Sequence, residues 1–292
     1  MGELSQVKPD SRFLKQPKHF WANVRTISQH IGYTVRGAGE IKVPTIAEIT
    51  QAFEQLKLST KHVIGGDGQP TDFGRLLAAY FQHRANVLNR FVEPRLMDAK
   101  RAKQEFGKLR RQLRPNCPLP MNKQTGNKKA PAFLTGIANM LIEANAAGTE
   151  CCYDPRELTT VTRDGVPVRT LARRIDGAFP STINPIAVWE IKEYYYTTTF
   201  GSRVADGVYE TLLDGMELEE LREHEGIDIK HYLILDAHYT WWECGRSYLC
   251  RVLDMLHMGY VDEVLFGLEA IERLPSLVKQ WVEAARKNAN KK

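Results

Sequence analysis

Nowhere in these 292 residues does an apolar run approach the roughly 18 residues that a membrane span requires. The opening stretch, "MGELSQVKPDSRF", lacks the apolar centre of a secretory leader. Both absences point away from a membrane partner and toward the cytoplasm. Cysteine is scarce: Cys117, Cys151, Cys152, Cys244 and Cys250 are odd in number, and none makes the C-x-x-C spacing of a structural zinc site or redox pair. Free thiols in a reducing compartment follow. Internal repeats are missing, and a single stretch, "RPNCPLPMNKQTGNKKAP" at 114–131, is rich in Pro, Asn and Lys without an apolar period. A linker or loop is expected at 116–131, between a domain over 1–115 and another over 132–292.

Acidic residues are sparse in the first half. Residues 1–130 hold 23 Lys and Arg against 10 Asp and Glu, while 131–292 hold 17 against 25, an asymmetry hidden by the net charge of +5. The basic half is expected to meet a polyanion, and the acidic half to hold metal or catalysis. With 43% hydrophobic residues, the chain can bury one sizeable core or two smaller ones.

The first domain reads as helical. "PTIAEITQAFEQL" sets Thr45 three residues before Glu48, the spacing of a capping box, and Ile46, Ile49 and Phe53 follow at helical intervals. A second helix is expected from Lys61, and the pair has the outline of a helix-turn-helix or of a plain helical hairpin. After "GGDGQPT" a helical run extends from Asp72 to about Leu113, bent or broken at Pro94. Its end, "KRAKQEFGKLRRQLR", includes Arg110 and Arg111, and its charges form a solvated face or track phosphates.

The second domain alternates its signals. "PAFLTGIANMLIEANAAG" is an amphipathic helix stopped at Gly148, and carries Glu143. Strands are expected in "LTTVT", "VPVRTLARRIDGAF", "IAVWEIKEYYYT", "HYLILDAHYTWW" and "VDEVLF", the first two joined by the hairpin turn "RDG". Helices are expected to begin in "TTTFGSRVADGVYE", where Ser202 and Arg203 would face a phosphate, to form in "SYLCRVLDMLHM", and to run from Pro275 onward. The fold class is therefore α/β (α+β), a mixed sheet with flanking helices preceded by a mainly helical domain.

"IAVWEIKEYYY" sets Glu190 and Lys192 on one face of a buried strand, at a desolvation cost unless each finds a partner. Upstream, Asp176 is separated from Glu190 by a turn marked by Pro180, Asn184 and Pro185, so adjacent strands would bring the two acids level. Two carboxylates can hold Mg²⁺, and a lysine beside them can orient or help deprotonate a water and screen a phosphorane-like transition state. A structural ion-pair network is the other reading of the same three residues. Glu40-Ile41-Lys42 repeats the E-x-K triplet without an acid before it, and is expected as an exposed turn.

Asp176 with Glu190-Ile191-Lys192 resembles the PD-(D/E)XK nuclease superfamily, the restriction-endonuclease-like fold, over roughly residues 130–266. Ile175 stands where the family pattern has Pro. The resemblance implies Asp176, Glu190 and Lys192 as catalytic residues, with Asp176, Glu190 and the helical Glu143 as ligands of Mg²⁺ or Mn²⁺. It also implies a double-stranded DNA substrate and a homodimer; the basic run, the helix expected from Lys61 and the helix start at 202–203 make Arg110, Arg111, Lys61, Ser202 and Arg203 the candidate DNA contacts. A type II restriction endonuclease is expected; a repair or junction-resolving nuclease and a non-catalytic DNA-binding protein stay open.

Overall fold

The computed structural model describes residues 7–14, 16–35, 39–122, 130–196 and 201–289. The segments 123–129, within the expected linker, and 197–200, after the "YYY" tract, lie outside them. Among the described residues, no helix is long and apolar enough to cross a membrane.

Four helices open the chain: α1 (Ser11–Leu14), α2 (Lys18–Ile31), α3 (Ile46–Gln55) and α4 (Asp72–Val87). The capping box forms as expected, with Thr45 Oγ1 accepting from the Glu48 amide and Glu48 from the Thr45 amide. No helix begins at Lys61. Residues 61–63 make a turn, the glycines of "GGDG" and Pro70 follow, and Thr71 caps α4 instead. The helix-turn-helix outline is thereby lost. Phe13, Phe20, Trp21, Phe53, Tyr80 and Phe81 fill the core of this unit.

His83 on α4 meets His257 of a later helix, Nε2 to Nε2 at 3.2 Å, with an Asp10 carboxylate oxygen 3.8 Å away. Burial and the neighbouring His257 push its pKa down to about 4, against a smaller opposite pull from Asp10. Since the unfolded His83 binds a proton near pH 6.5 and the folded one does not, stability is present above that pH and lost as pH falls toward 4. His83→Phe should therefore show a smaller drop in melting temperature between pH 7 and pH 5 than the wild type. An unchanged drop would place the acid sensitivity elsewhere.

The long helical run does break near Pro94. A π-turn over Leu88–Val92 and a 3₁₀ turn over Glu93–Arg95 separate α4 from α5 (Ala99–Leu113), which Asp98 caps. Ala102, Phe106 and Leu109 bury α5 with α6 (Phe133–Asn145) in the core of the later sheet, so α5 belongs with the second unit and not with the helices before it. The boundary thus falls at about 88–98, ahead of the expected 116–131.

The sheet runs in sequential order through β1 (Cys152–Tyr153), β4 (Gly177–Phe179), β5 (Ala187–Glu193), β6 (Lys230–Asp236) and β7 (Glu263–Phe266). Between β1 and β4, β2 (Thr160–Arg163) and β3 (Val166–Thr170) form a separate hairpin. β1, β4 and β5 pair antiparallel, whereas α7 (Ser202–Glu225) and α8 (Arg246–His257) make the crossovers that leave β5, β6 and β7 parallel. Trp189, Tyr232 and Ile234 pack toward α6 and α9 (Leu268–Ala289), while Leu233 and Leu235 pack toward α8. Three layers result, helices on both faces of a mixed sheet.

Several edges differ from expectation. Tyr194, Tyr195 and Tyr196 follow β5 in a turn, and residues 239–244 coil as a π-helix after β6 stops at Asp236. Pro275 lies inside α9, which starts at Leu268. Ile41 is buried and bridges Thr34, so the Glu40–Lys42 triplet is not a free turn.

Gly177 pairs with Trp189, whose ring stacks on Trp281 with centroids 5.6 Å apart. A Cβ at 177 would run into that fixed indole. Gly177→Ala should cost about 1–3 kcal/mol by overpacking, read as a lowered urea midpoint. Wild-type stability in that variant would mean that the ring pair yields.

Candidate active site at the ends of strands β4 and β5

The register Gly177↔Trp189 sets Asp176 opposite Glu190. The backbone then ties the two acids together: the Asp176 amide donates to Glu190 Oε1 at 3.2 Å, and the Ile191 amide donates to Asp176 Oδ2 at 2.7 Å. Alternation along β5 turns Glu190 and Lys192 toward α7 and sends Glu193 the other way, where it accepts from the Leu134 amide and the Thr135 hydroxyl at the start of α6. Gly207 on α7 leaves room for the Lys192 stem; a Cβ there would lie 3.2 Å from Lys192 Cδ.

Glu190 has no exposed surface, and the cost of burying its charge is met by two cations. Lys192 Nζ lies 2.7 Å from Oε2, and Arg173 Nη1 lies 3.0 Å from Oε1. Both cations reach α7 as well. Lys192 meets Glu210 at 3.0 Å, and Arg173 meets Asp214 at 2.6 Å and Glu210 at 3.4 Å. A lattice of three carboxylates and two cations closes the sheet against α7.

Proton affinities sort the acids. Burial alone would raise Glu190, but Lys192 and Arg173 outweigh it and hold the carboxyl below the ordinary range. Asp176 is pushed up to about 6, first by burial and then by the charge of Glu190. Burial and the same neighbour push Asp214 up to about 7. Lys192 goes up despite burial, because Glu190 and Asp176 favour its charged form. That form suits the screening of negative charge on a phosphoryl group.

Asp176 also opens onto a cavity of about 500 Å³ on the α6 side, walled by Thr135 and Asn139 of α6, Pro118 and Tyr153, with Ile191 and Glu193 of β5, whereas Glu190 and Lys192, turned toward α7, do not line it. Its Oδ2 is held by Ile191, while Oδ1 meets no donor among the described residues. That bare oxygen beside Glu190 fits the manner in which Mg²⁺ binds, through one or two carboxylates with waters and substrate phosphates completing the octahedron. Among the described residues no group of three or more His, Cys, Asp or Glu side chains is arranged to cage a metal unaided.

The other expected residues are dispersed. Glu143 accepts the Asn116 amide at 3.0 and 3.2 Å and sits beside Cys117, joined to neither Asp176 nor Glu190. Arg110 and Arg111 are exposed on α5, whose chain continues into Pro118 on the cavity wall. Ser202 and Arg203 are exposed at the start of α7, where Tyr194, a cavity residue, donates to the Arg203 carbonyl. Lys61 is exposed in the turn before α4. Sequence reasoning missed Arg173, Glu210 and Asp214. The i, i+4 spacing of the two acids on the helix after β5, which sets both on one face, was the available signal.

Residues 97–281, more than half of the chain, match the family described as a domain of unknown function (DUF7687). The chain belongs to the DUF7687 family. Residues 7–91 match a second domain of unknown function (DUF7690), so the junction falls in the π and 3₁₀ turns before α5, and the DUF7687 part carries α5, the sheet and the whole acidic lattice. No curated protein and no solved structure matches the chain.

Proposed function

We propose that the DUF7687 part is a Mg²⁺-dependent endonuclease of the restriction-endonuclease-like fold, hydrolysing phosphodiester bonds in double-stranded DNA, with sequence-specific cutting of the type II restriction kind. The observation that carries this reading is the pairing of Asp176 with Glu190 across β4 and β5, with Lys192 beside Glu190 and a cavity on the Asp176 side. A sheet in sequential order, entered through α6 and crossed over by α7, agrees with the arrangement the resemblance implies.

Asp176 and Glu190 would hold the metal, which supplies Lewis-acid polarisation of the phosphoryl oxygen and lowers the pKa of a bound water. The chain does the rest. Lys192, kept charged by Glu190 and Glu210, stabilises negative charge gathering on the phosphoryl group. Asp176, with Oδ1 free of donors among the described residues, brings the second negative charge that a divalent ion calls for. Arg173 fixes Glu190 from the solvent side, where it is itself partly exposed. The cationic outer face of α5, with Arg110 and Arg111, leads the DNA backbone toward the cavity. Cutting both strands of a palindrome calls for two copies of the chain.

A second reading has its own support. Both oxygens of Glu190 are already engaged by Arg173 and Lys192, as in an ion-pair lattice that closes α7 on the sheet of a DNA-binding protein without catalysis. Incubation of supercoiled plasmid with Mg²⁺, with Ca²⁺ or with chelator separates the two. Hydrolysis with Mg²⁺ alone, giving discrete fragments on phage-sized DNA, is expected. DNA binding without cleavage under Mg²⁺ and Mn²⁺ would leave the second reading standing, and nicking confined to branched substrates would favour a repair or junction-resolving nuclease.

A further inference from the structure

Where α2 faces α7 and α8, between the DUF7690 and DUF7687 parts, lies a cleft of about 480 Å³ that shares no lining residue with the acidic lattice. Two arginines converge on it. Arg251 is held in place, its guanidinium 5.1 Å from the Tyr33 centroid and 4.8 Å from that of Tyr248, with Nη1 donating to Tyr209 Oη at 3.0 Å. Arg25, exposed on α2, donates to the Met258 sulfur at 3.5 Å and lies near Tyr260. Among the described residues neither guanidinium lies within 4 Å of a carboxylate oxygen, and Asp254 on the cleft wall is already neutralised by the buried Arg84 at 3.0 Å.

An arginine carries five N–H donors in a planar fork that matches a phosphate. Here two such forks, with about two positive charges between them, face one opening, and among the described residues neither is ion-paired to a carboxylate. Holding Arg251 between rings removes side-chain entropy before any ligand arrives. The rest of the cleft is amphipathic. Leu212 and Met255 give it an apolar floor, the half-exposed Tyr209 offers a ring, and Thr26 and Gln29 offer hydrogen bonds at the rim. Its volume lies in the range of small-molecule sites, about 300–1,000 Å³.

We propose that this cleft binds a nucleoside monophosphate, its phosphate on Arg25 and Arg251 and its base over the apolar floor beside Tyr209. The site owes nothing to the nuclease reading and stands if that reading fails. Two sources share this chemistry, a free nucleotide and the phosphorylated end of a strand.

Isothermal titration of the full chain with 5′-dAMP tests it, beside deoxyadenosine and a 5′-phosphorylated oligonucleotide. Saturable one-site binding of 5′-dAMP is expected, weakened about tenfold or more by removal of the phosphate, by Arg25→Gln and by Arg251→Gln, since each takes away a charge-assisted hydrogen bond. Arg25 is exposed, so Arg25→Gln decides the matter even if Arg251→Gln fails to fold. A strand end is the source if Arg25→Gln weakens the oligonucleotide as well, and a free nucleotide if it weakens 5′-dAMP alone. No saturable binding of 5′-dAMP, equal binding of deoxyadenosine, or an affinity that Arg25→Gln leaves unchanged would overturn the proposal.

Discussion

Asp176→Asn should reduce Mg²⁺-dependent plasmid cleavage by roughly 10²–10³-fold or more, the scale on which loss of one preorganised charge contact is felt in a transition state. The substitution is close to isosteric. Its carbonyl oxygen can still accept from the Ile191 amide as Oδ2 does at 2.7 Å, so the turn before β4 is kept. What disappears is a negative charge on the oxygen that faces the cavity. Stability should move the other way. Asp176 has its proton affinity raised in the folded chain, to about 6, so its contribution is present at low pH and lost as pH rises from about 4 through 6. At pH 8 the wild type bears that loss and the variant does not, which makes Asp176→Asn at least as stable as the wild type. Activity lost with stability kept or gained is the pattern of a functional group, because a residue holding the fold together would lose both. Full cleavage by Asp176→Asn would remove Asp176 from the mechanism.

The residues that could be read in advance were those whose placement follows from short-range pattern. Alternation put Glu190 and Lys192 on one face, the turn between Asp176 and Glu190 brought the acids level, and Thr45 with Glu48 marked a helix start. What escaped depends on contacts across the chain. Arg173 looks like one of several surface arginines until α7 folds over β5 and supplies Glu210 and Asp214. Periodicity also misplaced α5. Its basic face suggested a partnership with the basic first half, but burial is decided by the opposite face, where Phe106 packs beside Gly136 of α6. Glu143 had the right helix, but it sits two turns beyond Thr135, which reaches the cavity, and is taken up by the Asn116 amide.

Arg84→Met should destabilise the chain by about 3–5 kcal/mol, because it removes one partner of a buried ion pair and leaves the other charged. Arg84 is almost fully buried, and its Nη1 lies 3.0 and 3.2 Å from the two oxygens of Asp254 on α8. The pair crosses the junction between the two family segments, α4 on one side and α8 on the other, and Ser28 of α2 joins it at 3.3 Å. Tyr80 alone, donating to Asp254 at 2.6 Å, would remain to hold the carboxylate in the variant. One neutral hydroxyl does not compensate a buried charge, and a loss of this size is a large part of the 5–15 kcal/mol typical of a domain. Neutralising the second partner should restore much of it: in Arg84→Met with Asp254→Asn, the amide oxygen keeps the Tyr80 bond and no charge is buried. Denaturant unfolding of the four proteins in the cycle would then give a coupling of about 1–3 kcal/mol. If Arg84→Met alone costs under about 1 kcal/mol, the segments are held by their apolar contacts and the ion pair only sets their register. In the single variant the unpaired Asp254 would also face the cleft that Arg251 lines, so nucleotide affinity there should fall with stability and recover in the double variant.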